Sequence, residues 1–443
     1  MTLTRLAAFV LAAAPLFAQA QERAPDAAAK GKVYQWKSKD GLAYEYYLPK
    51  DFDAGRPINL TFVLHGSNLD RRWGFANHKA GEFRADDLVV CPDGTTSNGQ
   101  NGFNSLQSPK DLERLHALHA ELKGLFDVRA TYVYGHSQGS FFALYYAGAY
   151  PDEVQGVVAQ ASGCWIGTAM SKKHHHQAIV LMHGTADPVV PYGQSIGALD
   201  AYREAKYPHV RLRSLEGWNH WPAQAQTEQE LAWCEGLTTA DPVRLAAAFA
   251  TLAAVKEGAD PVALREVAVR VQATDGIDAA VKKDAAAAVE AVDAAAREHA
   301  DAIGKSAGKD KKLADKPWVG HLPRFLRLFG GTPVGDEVAA AWKGVLDKQQ
   351  DAVKKYARDF WQDKDGKPKE AFAAGVQLVA EAFLTSASEN EEILGALEGW
   401  AKDGKKVGLG KGDLKAFEQS VPVVRAARDK GQKAFEKVGR RFR

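Results

Sequence analysis

Ala130-Thr131-Tyr132-Val133-Tyr134-Gly135-His136-Ser137-Gln138-Gly139-Ser140-Phe141-Phe142-Ala143-Leu144-Tyr145-Tyr146 is the stretch that decides how this chain reads. A β-branched and aromatic run ends at Gly135. A G-x-S-x-G pentapeptide follows, and then an apolar segment of helical length. The pentapeptide alone is a weak string, and an ordinary serine N-cap would place the same residue before a helix. Strand, glycines and helix in one register say more. The chain must turn sharply at Ser137, the flanking glycines leave room for the turn, and the hydroxyl is pushed out at the positive end of the helix.

Working outward, the same texture recurs. Ile58–Leu64 is nearly all apolar and ends at His65-Gly66; Leu88–Cys91 ends at Pro92-Asp93-Gly94. Val154–Gln160 ends at Ser162-Gly163, and Ala178–Met182 ends at His183-Gly184. Val33–Trp36 and Tyr44–Leu48 add edge strands. Short apolar runs separated by helix-length segments predict a mostly parallel sheet buried on both faces. Ligands bind such sheets beyond the carboxyl ends of the strands, where the Gly, Asp, Ser and His residues of this chain cluster.

A serine hydroxyl needs a base to attack at neutral pH. After a turn of this kind the acid and then the histidine follow in chain order. Asp187, in His183-Gly184-Thr185-Ala186-Asp187-Pro188, follows a strand directly. His220, in Gly217-Trp218-Asn219-His220-Trp221-Pro222, follows the strand-like Val210–Leu215. Each interval holds about one helix and one strand, so three loops can meet at one rim. His220 is expected to take the Ser137 proton, and Asp187 to fix its tautomer. The tetrapeptide Ala-Asp-Pro-Val also occurs at 240–243 and 259–262, where it opens helices, so context and not the string selects Asp187. His183 is a rival base, with a packing role against the backbone preferred. The oxyanion donors are expected to be the backbone of Gln138 and of Ser67, with Asn68 behind Ser67.

With Tyr47-Leu48-Pro49, Leu64-His65-Gly66, Cys91-Pro92-Asp93-Gly94, the serine pentapeptide, Tyr150-Pro151-Asp152, His183–Asp187 and Asn219-His220-Trp221-Pro222 in place, residues 42–236 resemble the α/β-hydrolase family. The resemblance is to its secreted esterases: feruloyl and acetyl-xylan esterases and polyhydroxybutyrate depolymerases. It implies a serine esterase with an acyl-enzyme, no cofactor and no metal. Ser140 stands where these enzymes often carry a glycine, and nothing in that family core corresponds to the chain after Thr239.

The expected order is therefore a signal peptide (1–20), a lead-in (21–31), an α/β-hydrolase domain (32–239) and an all-α domain (240–443). Arg5, the apolar Leu6–Ala18 and the exit Ala18-Gln19-Ala20 predict export, to a secreted or periplasmic place. No later run is long enough to span a bilayer. Asp241-Pro242 and Asp260-Pro261 are helix starts, and no strand run of comparable quality follows them. The near-neutral balance, 57 Lys plus Arg against 55 Asp plus Glu, removes the global argument for nucleic acid or an anionic membrane as partner. The expected substrate is a small-molecule or polysaccharide-linked ester, and the helical part is left open to a partner that the sequence does not identify.

Trp73, Trp165, Trp218 and Trp221 are expected in loops near the active rim, the last three as a substrate wall. The loop Gly94–Lys110 is long enough to shape a site. His174-His175-His176 cannot converge on one ion, and His116 with His119 lacks a third ligand. Two rivals to the esterase share its features: a serine peptidase of the prolyl-oligopeptidase type, and a non-catalytic binding or scaffold protein on a hydrolase fold.

Overall fold

The structure is a computed structural model that describes residues 20–94, 103, 110–184, 187, 189–215, 218–255, 258–307 and 321–344. The expected signal peptide apart from Ala20, most of the 94–110 loop, and the chain after 344 lie outside these residues.

Nine strands make one sheet: β1 (Gln21–Glu22), β2 (Val33–Lys37), β3 (Ala43–Tyr47), β4 (Ile58–Leu64), β5 (Asp87–Pro92), β6 (Val128–His136), β7 (Gly156–Gln160), β8 (Ala178–Gly184) and β9 (His209–Leu215). Their order is β1-β2-β3-β5-β4-β6-β7-β8-β9. The pairs β2/β3 and β3/β5 are antiparallel, and all pairs from β5 to β9 are parallel. Leu64 registers with Gly135, His136 with Gln160, Gln160 with Met182 and Gly184 with Leu215. The strand ends that carry the singled-out motifs therefore share one rim. This is the α/β-hydrolase architecture, followed by helices.

Helix α1 (Arg72–Asn77) lies between β4 and β5, α2 (Lys110–Leu125) precedes β6, α3 (Gln138–Ala149) follows the serine, and α4 (Gly193–Glu204) precedes β9. Beyond the sheet come α5 (Gln224–Thr238), α6 (Pro242–Ala253), α7 (Pro261–Ala273), α8 (Ala279–Ala307) and α9 (His321–Phe329). Because strand side chains alternate, strands β4 to β9 feed two cores. Phe62, Val133, Ile179 and Leu181 pack with α2, α3 and α4. Val63, Tyr134, Val180 and Met182 pack on the other face with Trp233 of α5. Leu245 and Phe249 of α6, Val267 and Val271 of α7 and Ala285 of α8 join that second core. The helices after Thr239 thus continue the packing of the sheet. Both Asp-Pro starts act as read: Asp241 caps α6 through Val243 N at 2.8 Å, and Asp260 caps α7 through Ala263 N at 2.9 Å.

Two buried charge clusters join these layers. Arg84 pairs with Asp87 and Glu235 at 2.7 Å each, and Arg244 of α6 reaches the same two acids. Asp87 opens β5, so this cluster lies at the rim opposite the serine. On β9, Arg211 and Arg213 both pair with Asp260.

Candidate active site

Ser137 sits between β6 and α3 at φ 53° and ψ −123°. For a residue with a side chain this backbone costs about 1–3 kcal/mol, and such strain gathers at functional sites. The glycines make the turn possible: a Cβ on Gly135 would lie 2.4 Å from the Gly139 carbonyl oxygen, and one on Gly139 would lie 2.4 Å from that of Leu64. Gln160, at the end of β7, anchors the turn. Its carbonyl accepts Ser137 N at 2.9 Å and Ser140 Oγ at 2.7 Å. Ser140, the departure from the family pattern, is thus a fully buried strut for the turn.

The Gln160 side chain carries the link further. Its Oε1 accepts the Tyr134 hydroxyl at 2.9 Å, and its Nε2 donates to the Trp221 carbonyl at 2.7 Å. One residue therefore ties the serine turn to the loop that bears His220.

Asp187 follows β8 with its side chain buried. Its Oδ1 accepts Val189 N at 2.8 Å and Val190 N at 3.0 Å. Its Oδ2 accepts His220 Nδ1 at 2.8 Å and lies 3.2 Å from His183 Nε2. Burial alone would raise the carboxyl pKa, but the bonds from both imidazoles and both backbone amides hold it far below the carboxylate range. The bond to Asp187 leaves His220 Nε2 as the free end of the ring. Among the described residues no hydrogen bond joins it to Ser137 Oγ. Such contacts commonly tighten only when substrate binds. The two residues are connected through His136, whose ring lies 4.9 Å from that of His220. His136 stacks on Trp73 at 5.2 Å, and burial first, then the neighbouring His220, pushes its pKa down to about 3. It is a neutral wall beside His220.

The turn after β4 lies against the serine. A Cβ on Gly66 would be 3.2 Å from Ser137 Cβ, and Asn68 takes φ 62°. Ser67 Oγ donates to Gln138 Oε1 at 2.9 Å, so the two expected oxyanion donors stand side by side. Gln138 opens α3, where the backbone N–H has no partner within the helix. His65 holds this turn from below. Its Nε2 accepts Gly94 N at 3.0 Å, so its Nδ1 must donate to the Gly66 carbonyl at 2.8 Å. The ring is neutral, in keeping with the burial that lowers its pKa.

The tryptophans divide. Trp218 and Trp221 are 42% and 52% exposed beside His220. Trp165 is half-buried, with its ring 5.9 Å from that of Phe141. Trp73 was expected in a loop. It lies in α1 instead, buried against His136, because the apolar ring fills the second core under the turn. His116 and His119 both face Glu153, at 3.1 and 2.9 Å. His175 and His176 contact separate carbonyls, those of Ala205 and Pro151. Cys91, Cys164 and Cys234 are free thiols. Sequence reasoning missed Gln160, His136 and His65 as parts of the site. Only the placement of His65 before Gly66 at a strand end gave a signal.

The family described as Phospholipase/Carboxylesterase matches residues 104–230. No curated protein matches the chain. Among solved structures, a thermostable esterase is 18% identical, with 42% of this chain and 54% of that one covered at a TM-score of 0.34. The chain thus spans about half the length of that esterase. The Bacillus cereus carboxylesterase is 18% identical, with 44% and 94% covered and a TM-score of 0.37. Est1E from Butyrivibrio proteoclasticus, solved with ferulic acid bound, is 16% identical, with 45% and 94% covered and a TM-score of 0.30.

Proposed function

We propose that this chain is a carboxylic ester hydrolase and works through an acyl-enzyme on Ser137. His220 takes the hydroxyl proton as Ser137 attacks the ester carbonyl, and returns it to the departing alcohol. Asp187 holds the ring so that Nε2 faces the serine, and stabilises the imidazolium that forms. The backbone N–H groups of Gln138 and Ser67 receive the developing oxyanion. A water activated by His220 then releases the acid. Trp218, Trp221 and Trp165 offer aromatic surface to an aromatic or sugar-linked acyl group, and the N-terminal pattern around Arg5 and Ala18-Gln19-Ala20 directs the chain out of the cytoplasm.

One observation carries the reading: the 2.8 Å bond from His220 Nδ1 to the buried Asp187, on the rim where Ser137 is held in a strained turn. Ser137→Ala should cut p-nitrophenyl acetate turnover by about 10⁴-fold or more and abolish fluorophosphonate labelling. Labelling that persists at another serine would overturn the assignment.

A further inference from the structure

We infer that His183, which takes no part in the proton relay, is a buried imidazolium that sets the charge of the carboxylate behind His220. The inference rests on the reading of Asp187 and His220 as acid and base, and its argument is a count of protons. His183 closes β8 with no exposure, and its Nδ1 lies 2.7 Å from Ser195 Oγ. That oxygen lies 2.5 Å from the Ser162 carbonyl oxygen. Two oxygens so close need a proton between them, and the only one available is the Ser195 hydroxyl proton. Ser195 therefore donates to Ser162, and Nδ1 must donate to Ser195. On the other side Nε2 faces two acceptors, the Val190 carbonyl at 3.0 Å and Asp187 Oδ2 at 3.2 Å. Both nitrogens carry hydrogen, and the ring carries a charge.

A buried cation is tolerated only when paired and fully hydrogen-bonded. His183 meets both conditions, with Asp187 as its counter-ion. The titratable groups around it are few. Asp187 and, through it, His220 come from the two rim loops; Tyr192, at the start of α4, sets its ring 5.5 Å away. Its partner on β9 is Ser214, α4 contributes Ser195, and the segment after β7 contributes Ser162.

The consequence concerns the base. Asp187 Oδ2 is shared by the two imidazoles, and the charge on His183 offsets part of the negative charge that His220 faces. His183 is a positioning residue that tunes the acid limb of catalysis without touching substrate.

Two measurements on the full chain test this. In protein labelled with ¹⁵N-histidine at pH 7, the His183 ring should show two protonated nitrogens; one protonated and one bare nitrogen would overturn the inference. Ser195→Ala removes the acceptor for Nδ1–H, so the ring should fall to its neutral form. The acid limb of kcat/KM should then rise by about half a pH unit or more. A fall in kcat with an unmoved limb would mean packing alone, and would also overturn it. The spectrum does not depend on Ser137, so its failure leaves the esterase reading standing. Failure of Ser137 labelling in turn leaves the spectrum unchanged.

Discussion

The two rims of the sheet handle buried polarity in opposite ways. At the carboxyl rim, polar groups are gathered one per strand end, each positioned by a neighbour: Gln160 holds the serine turn, Asp187 holds His220, and His65 holds the Gly66 turn. The backbone there is strained at Ser137, and His220 and Trp221 remain partly open. At the amino rim, charge is concentrated instead. Arg84 and Arg244 share Asp87 and Glu235, with Thr61 and Asn59 completing the acids at 2.7 Å each. Arg84, Asp87 and Glu235 are all buried there. One rim keeps a strained, partly exposed arrangement, the proposed seat of the chemistry, and the other locks α5 and α6 onto the strands. Mutations at the first should therefore change rate, and mutations at the second should change stability.

The sharpest way to break this contrast is Asp187→Asn. An amide can hold His220 only in the wrong tautomer, and kcat should fall by about 10⁴-fold. The same change has a stability side. The carboxyl of Asp187 is held far below its ordinary value, so its bonds stabilise the fold above about pH 4 and are lost as the pH falls below that. Near neutrality, where those bonds are fully present in the parent, the variant should be less stable, and its folded fraction should still be nearly inactive. A loss of activity that only tracks unfolding would erase the distinction between the rims.

Arg84→Met is the converse. It leaves Asp87 and Glu235 facing Arg244 alone, and one-sided breaking of a buried pair costs about 3–5 kcal/mol. Urea unfolding should show that loss, with kcat on the remaining folded protein unchanged. A large fall in kcat at full folding would mean that the amino rim reaches the site.

What the sequence made legible follows the same line. The strands were readable because their apolar runs are continuous, and the rim was readable because each run stops at Gly, Asp, Ser or His. Ser137, Asp187 and His220 were singled out by their order along the chain. The two helix starts were found because Asp before Pro has a local mechanism. Hidden were the contacts with no local signature. Arg84 and Glu235 are 151 residues apart, and nothing near either announces the other. That α6 and α7 share the sheet's second core depends on which face of α5 they meet, and composition alone suggested a separate helical part. His183 was read as packing against the backbone, and its bonds to Ser195 and the Val190 carbonyl come into view only in the fold.

Glu230→Gln gives the smallest effect and tests how far the amino-rim rule extends along the second face. Glu230 is fully buried in α5, 3.5 Å from Arg211 and 3.7 Å from Arg213, yet the two arginines spend their closest contacts on Asp260. Burial therefore outweighs the nearby cations and pushes the Glu230 carboxyl up to about 7. A carboxyl raised on folding favours the protonated chain, so its contribution to stability falls as the pH climbs from the unfolded value near 4.5 to 7. An amide cannot ionise, so Glu230→Gln should flatten the stability profile across that window. The net change at pH 8 should be about 1 kcal/mol in either direction, since the variant removes a costly charge and also a partial partner of the arginines. Melting curves at pH 5 and pH 8 decide it. A profile as steep as the parent's would assign the slope to another group.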